Sequence, residues 1–185
     1  MQKLYVLLIC FLCSTLCAAQ NVSPTAVGVE WLTFEDAVAR NEKNPKKIFL
    51  DVYTDWCGWC KVMDSNTFSD AKVAEYMGTH FYAVKLDAEG KSPISFMGNV
   101  YNFSAQYRSH ELAMAILSGK MSYPSTAYMD GKNQLLTVVP GYMTPTDFMP
   151  ILVFFGDDHY LKMTWEEFQE QWPALEKTLA ENSKK

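Results

Sequence analysis

Residues 47–61 read KIFLDVYTDWCGWCK, and this stretch decides the architecture. Lys47–Thr54 is β-branched and aromatic without clean alternation, the pattern of a strand buried on both faces. Trp56-Cys57-Gly58-Trp59-Cys60-Lys61 follows at once and opens a helix. Two cysteines three residues apart at a helix N-terminus can close a small disulfide ring with little backbone change. Cys57, in the first turn, faces unpaired N–H groups and the positive end of the helix dipole, and both favour thiolate over thiol. Cys60 lies one turn deeper on the same face and is expected to be the less exposed of the two. The expected cycle follows: the Cys57 thiolate attacks a substrate disulfide, a mixed disulfide forms, and Cys60 resolves it.

Outward from this stretch the chain alternates strands and helices. Upstream, Thr33 is placed to cap a helix at the N–H of Asp36, Phe34, Ala37 and Val38 form its apolar stripe, and Asn44-Pro45 stops it. Downstream, the helix that opens at the cysteines runs to about Met77, with an interruption near Asn66–Asp70. Phe81–Leu86 is a second buried strand, and this spacing implies parallel pairing through right-handed crossovers. Between Asp87 and Met121 the signals loosen, with Asn102–Arg108 and Glu111–Leu117 read as helical. Ser125–Met129 and Gln134–Val139 form a hairpin about Asp130-Gly131. Pro145–Phe155 reads as a helix covering that hairpin. The tail from Thr164 to about Glu181 is amphipathic, with Trp165, Phe168, Trp172 and Leu175 on one side.

The composition is that of an ordinary globular domain. Of 185 residues, 49% are hydrophobic and 20% charged, which excludes disordered, collagen-like and coiled-coil classes. Sixteen basic against 21 acidic residues give a charge of −5, with no basic run longer than two residues. Neither a nucleic-acid footprint nor an anionic-membrane patch is expected from that balance. Met1–Gln20, MQKLYVLLICFLCSTLCAAQ, places Lys3 before an apolar stretch and ends in Cys17-Ala18-Ala19, the layout of a secretory signal cleaved after Ala19. Its run of about 13 apolar residues is short for a bilayer span. A lipid anchor on Cys17 is the weaker alternative, because Ser14-Thr15-Leu16 lacks the usual small residue just before the cysteine. Cleavage discards Cys10, Cys13, Cys17 and Lys3, leaving Cys57 and Cys60 as the mature cysteines and a charge of −6 from 15 basic and 21 acidic residues. An exported domain with one close cysteine pair is not a disulfide scaffold, so the pair is present for its reactivity or for a metal.

The WCGWCK motif after a buried strand resembles the thioredoxin-fold family, and the likeness extends over roughly Trp31 to Phe155. Asp51 lies six residues before Cys57, where that family carries a buried acid near the second cysteine. Lys85 matches the lysine that partners the acid. Tyr123-Pro124-Ser125-Thr126 matches the cis-proline turn beside the disulfide, and Gly141 matches a glycine near the peptide-binding rim. The resemblance implies an α/β thioredoxin fold, a central mixed β-sheet flanked by helices, to which this sequence adds a helical insertion before the cis-proline and an extra C-terminal helix. The leader pattern gives a signal peptide at residues 1–19; the resemblance gives a thioredoxin-like domain at 20–185, with its core at about 31–155 and a helical extension at 156–185. It also implies catalytic roles for Cys57, Cys60, Asp51 and Lys85. Substrate contacts fall to Trp56, Gly58, Trp59, Tyr123, Pro124 and Gly141. A buried Asp51 would have a raised pKa and could pass a proton to or from Cys60, with Lys85 moderating that shift. The sequence departs from thioredoxin in Gly58-Trp59, where Gly-Pro is usual, in the long 87–121 segment and in the 164–185 tail. The pattern is similar to secreted bacterial thioredoxin-like proteins and to the soluble reductant-carrying domains of transmembrane thiol transporters.

The expected function is that of an exported, periplasmic thiol–disulfide oxidoreductase acting on protein thiols and disulfides, as a reductase or electron relay. A membrane thiol-transport protein is its expected donor, and the mature form is expected to be a monomer that does not span the membrane. No metal and no organic cofactor is expected beyond the Cys57–Cys60 disulfide itself. Two rivals stand beside this reading: a non-catalytic partner-binding module whose CxxC only regulates its grip, and a metal chaperone. A structural disulfide is disfavoured, because so short a loop constrains the unfolded chain little. Zinc would need two further ligands, and His80, His110 and His159 are scattered, each read as a surface or capping residue. Met114, Met121, Met129, Met143 and Met149 are read as core rather than copper ligands. The aromatic run Phe96, Tyr101, Phe103 and Tyr107 is read as a small core of the insertion first and a client platform second.

Overall fold

The computed structural model describes residues 28–182. The expected signal peptide and its cleavage site near Ala19 lie outside the described residues. The elements are β1 (Trp31–Leu32), α1 (Phe34–Lys43), β2 (Lys47–Tyr53), α2 (Gly58–Asn66), α3 (Ala71–His80) and β3 (Phe81–Asp87). After these come β4 (Ile94–Phe96), β5 (Asn99–Tyr101), β6 (Phe103–Ser104), β7 (Ser109–His110) and α4 (Glu111–Ile116). The chain then continues through β8 (Ser125–Met129), β9 (Leu135–Pro140), α5 (Pro145–Gly156), a 3₁₀ turn at His159–Leu161 and α6 (Trp165–Asn182).

Five strands form one mixed sheet in the order β1-β3-β2-β8-β9. β2 is central, parallel to β3 with Asp51 opposite Lys85, and antiparallel to β8 with Asp51 opposite Thr126. Successive side chains of a strand point to opposite faces, and both faces of β2 are covered. Ile48, Leu50 and Val52 join Phe34 and Ala37 of α1 and Leu112 and Ile116 of α4 in one apolar layer. Phe49 points the other way, into a layer with Met63 of α2, Val73 and Met77 of α3, and Phe148 and Leu152 of α5. Asp51 and Tyr53 share the parity of Phe49, and Lys85 shares that of Phe81 and Ala83. The strand period therefore delivers a carboxylate and an ammonium to the face that α2 covers.

The helix boundaries follow from their caps. Thr33 Oγ1 accepts the N–H of Asp36, and the Asn44 N–H closes α1 on the carbonyl of Arg40. α2 ends at Asn66, and Asp70 caps α3 by accepting from the N–H groups of Lys72 and Val73, so the expected interruption is a true break between two helices. α6 docks on α5: Phe168 is fully buried and packs with Val153 and Phe154, flanked by Trp165, Trp172 and Leu175. Among the described residues, no helix is long and apolar enough to cross a membrane.

The insertion corrects the expectation of a helical segment. Glu111–Ile116 is a helix, but Asn102–Arg108 is not. Phe103 and Ser104 pair antiparallel with His110 and Ser109, and β4 and β5 form a hairpin just before them. Tyr101-Asn102-Phe103-Ser104 alternates aromatic and polar residues with the period of a strand, and Arg108 turns back with a positive φ of 52°. The Asn102 N–H donates to the Glu111 carboxylate at 2.8 Å, and its carbonyl accepts the Glu111 N–H at 2.8 Å, so its hydrogen bonds close a loop rather than a helical turn. Phe96 and Tyr101 pack on the α1 layer, whereas Tyr107 is exposed. His110 takes the expected capping role. It caps α4 through Nδ1, accepting from the N–H of Leu112 at 3.2 Å, but it is buried rather than on the surface.

Candidate active site

The start of α2 builds the redox centre. The Cys57 N–H donates to the carbonyl of Thr54 at the end of the β2 segment, turning the chain into the helix. Cys57 is the N-cap, with extended backbone, and its Sγ accepts the N–H of Cys60 at 3.1 Å. The sulfur thus occupies the position where a helix start favours negative charge. Cys57 and Cys60 are joined as a disulfide with their Cα atoms 5.3 Å apart. The expected difference in exposure is almost absent in this oxidised state, since Cys57 is 4% and Cys60 2% exposed. Gly58 faces open space.

Exposed aromatic residues border the disulfide. Trp56 and Trp59 are 66% and 62% exposed. Trp56 meets the edge of Tyr123, with ring centroids 5.9 Å apart, and Trp59 leans on Tyr142 at 5.3 Å. The Tyr123–Pro124 peptide bond is cis, and the Pro124 carbonyl accepts the N–H of Gly141 at 2.8 Å. Gly141 has φ +100°, a conformation only glycine adopts readily, and it directs Tyr142 towards Trp59. The Thr67 hydroxyl donates to the Met143 carbonyl at 2.6 Å and ties this loop to the end of α2.

Beneath α2 lies a charged array. Asp51 is 1% exposed, and its Oδ2 accepts from Lys85 Nζ at 2.7 Å. Lys85 Nζ also donates to Asp64 Oδ1 on α2. The ammonium sits among three rings, 5.0 Å from Trp31, 5.0 Å from Tyr53 and 5.5 Å from Phe68. Asp51 Oδ1 and Thr54 Oγ1 are buried with no hydrogen-bond partner among the described residues. Burial pushes the Asp51 carboxyl up to about 6, against the downward pull of the Lys85 charge and hydrogen bond, and the Asp64 charge adds to the rise. Burial works against the Lys85 ammonium, but attraction and hydrogen bonds to Asp51 and Asp64 outweigh it and hold its pKa above the ordinary lysine value.

Of the four residues expected to be catalytic, two lie at the start of α2 and two pair with each other beneath it. Cys57 and Cys60 open α2, while Asp51 and Lys85 sit on the sheet face that the helix covers. Trp56, Trp59, Tyr123, Pro124 and Gly141 gather around the disulfide in three chain segments. Sequence reasoning missed Asp64, Trp31 and Tyr142. Asp64 lies four residues beyond Cys60, one helical turn, but that spacing carries meaning only once Lys85 is seen to reach α2. Trp31 and Tyr142 carried no signal, since both arrive from segments distant in the chain. His80 instead pairs with Asp157 at 3.1 Å, and among the described residues no group of three or more His, Cys, Asp or Glu side chains could hold a metal ion.

A CxxC disulfide capping a helix beside a cis-proline loop, on a five-stranded mixed sheet, defines a thioredoxin-fold protein. The chain belongs to the family Thioredox_DsbH, described as "Protein of unknown function, DUF255", whose model matches residues 21–183. Among curated proteins it is similar to human "Spermatogenesis-associated protein 20", at 25% identity over 158 residues, which is 85% of this chain and 18% of that protein. It also resembles "Uncharacterized protein B0495.5" of Caenorhabditis elegans, at 30% identity over 67 residues, or 36% of this chain and 9% of that one. The chain therefore spans less than a fifth of either relative. Among solved structures it resembles a thioredoxin-fold protein from Helicobacter pylori, with TM-score 0.53 and 20% identity over 71% of this chain and 82% of that one. A DsbH oxidoreductase gives TM-score 0.51 and 17% identity over 73% and 90% of the two chains. At these identities the likeness is one of fold.

Proposed function

We propose that this protein is an exported thiol–disulfide oxidoreductase that reduces, or relays electrons to, protein disulfides. The observation that carries the reading is the Cys57–Cys60 disulfide at the capped start of α2, bordered by the Pro124 loop and underlain by the buried Asp51. In the reduced protein the Cys57 thiolate attacks a client disulfide, forming a Cys57–client bond as the other client sulfur leaves and takes a proton from solvent. Cys60 then gives its proton through water to the Asp51 carboxylate and attacks Cys57 Sγ, releasing the second client thiolate. Two electrons pass to the client, the enzyme ends as the disulfide, and a dithiol donor must restore it. Trp56, Trp59, Tyr123 and the Pro124–Gly141 rim bind the client chain, and Lys85 moderates the charge on Asp51.

The leader pattern at Met1–Ala19 supports export, and a membrane thiol transporter is the donor class that fits a reductase outside the cytoplasm. The test is the reduction potential of the pair, measured by equilibration in glutathione and dithiothreitol buffers. A value near thioredoxin's, about −270 mV, supports a reductase with a dedicated donor. A value near about −120 mV, as in strong disulfide-forming oxidants, reverses the assigned direction. Failure of the pair to cycle between dithiol and disulfide would sink the oxidoreductase reading.

A further inference from the structure

Three charged groups from three elements converge beneath the redox helix, and only two of them are accounted for by the cycle above. Lys85 Nζ on β3 donates both to Asp51 on β2 and to Asp64 on α2, the helix that carries the cysteines. We infer that Asp64 is a positioning residue of this site, holding the Lys85 ammonium between two carboxylates so that Asp51 shares its counter-charge instead of owning it. The purpose of that sharing rests on the redox reading, because it keeps Asp51 able to take and to give the Cys60 proton.

The geometry supports the assignment in three ways. Trp31, Tyr53 and Phe68 ring the ammonium at 5.0–5.5 Å, so Lys85 is confined to the space between the two acids and is not a loose surface cation. One ammonium facing two carboxylates leaves the array with one net negative charge, and that charge is divided between a buried and an exposed group. The Asp64 side chain is 44% exposed while that of Asp51 is 1% exposed, so the array runs from the buried acid to solvent. Beside the array, burial and the charges of Asp87, Asp55 and Asp51 raise the Tyr53 phenol against the pull of Lys85, while Cys57 and Cys60 are joined and do not titrate in the oxidised protein.

Removing the Asp64 charge acts on Asp51 in one direction through two routes. A nearby negative charge that disfavours ionisation of Asp51 disappears, and the full attraction of Lys85 is released to Asp51. Both lower the Asp51 pKa.

The experiment is a ¹³C-carboxyl NMR titration of aspartate-labelled, oxidised protein, comparing the wild type with Asp64→Asn and Asp64→Glu. Asp64 is half-exposed, so both variants are expected to keep the wild-type amide spectrum away from the site. The expected result is an Asp51 midpoint about 1 pH unit lower in Asp64→Asn, restored towards the wild type in Asp64→Glu. The acid limb of the exchange rate of the reduced protein moves in the same direction. An unchanged or higher Asp51 midpoint in folded Asp64→Asn would overturn the assignment. Absence of exchange activity in the wild type would count against the redox reading alone, and the Asp51 titration would still decide the role of Asp64.

Discussion

Asp51 occupies a strand position whose neighbours on the same face are Phe49 and the core of the α2 layer, and an acid there costs stability in proportion to its charge. In an unfolded chain an aspartate titrates near 3.9, whereas burial lifts Asp51 to about 6 in the folded protein. The folded state therefore holds this proton more tightly. Its stabilising contribution is complete below about pH 4 and is lost as the pH rises through about 6, a loss of about 3 kcal/mol. Lys85 offsets part of the cost of the ionised form, and its own raised pKa acts only at strongly alkaline pH. Asp51→Asn is expected to flatten the pH dependence of stability between pH 4 and 6. At pH 8 it should gain about 3 kcal/mol over the wild type, with exchange at neutral pH slowed. Urea unfolding of the oxidised proteins at pH 4, 6 and 8 checks this. Parallel curves for the two proteins would show that no carboxyl of this kind titrates in the window.

At the scale of elements, the insertion is held by a side chain the strand and helix patterns did not single out. His110 is buried, receives the N–H of Leu112 at Nδ1 and faces the Ser92 carbonyl through Nε2 at 3.1 Å, so one ring caps α4 and closes the loop before β4. Nδ1 as acceptor requires Nε2 to carry the proton, the neutral tautomer. His110→Ala removes the cap, strands the Ser92 carbonyl and leaves a cavity, and should cost about 2–4 kcal/mol. It should leave the reduction potential of Cys57–Cys60 unchanged; a lowered urea midpoint with a shifted potential would instead make the insertion part of the redox centre. The same region marks the limit of what the sequence disclosed. β2, β3, α1 and α5 announce themselves by apolar runs and caps, and the WCGWCK motif marks the candidate site. Ladders of two or three residues, such as β6 with β7, contain too few alternations to stand out from a helical pattern. Asp64 and Tyr142 depend on which segments the fold brings together, and the helical spacing of Asp64 from Cys60 becomes meaningful only once Lys85 is known to reach α2.

For the molecule as a whole, the question is whether α6 is an arm laid on a finished domain or part of its core. A detachable arm would bury little and leave α5 complete without it. Here Phe168 is 1% exposed and contacts Phe154, Trp165, Trp172 and His159, with ring centroids between 4.9 and 5.9 Å apart. Val153 and Phe154 of α5 owe their burial to this contact, and α5 in turn covers Phe49 and Tyr128 at the centre of the sheet through Phe148 and Phe155. The tail is thus one aromatic layer away from the strand that precedes the cysteines. Phe168→Ala deletes a fully buried ring and should cost about 3–5 kcal/mol. Because the layers are continuous, that cost should fall on the whole molecule as one cooperative transition with a lower midpoint. Denaturant unfolding followed by far-ultraviolet circular dichroism and by hydrogen exchange of the β2 amides decides between the two. Coincident curves, both shifted in the variant, are the expected outcome. An early loss of helix with β2 protection unchanged would make α6 a separable arm and end the claim that it belongs to the core.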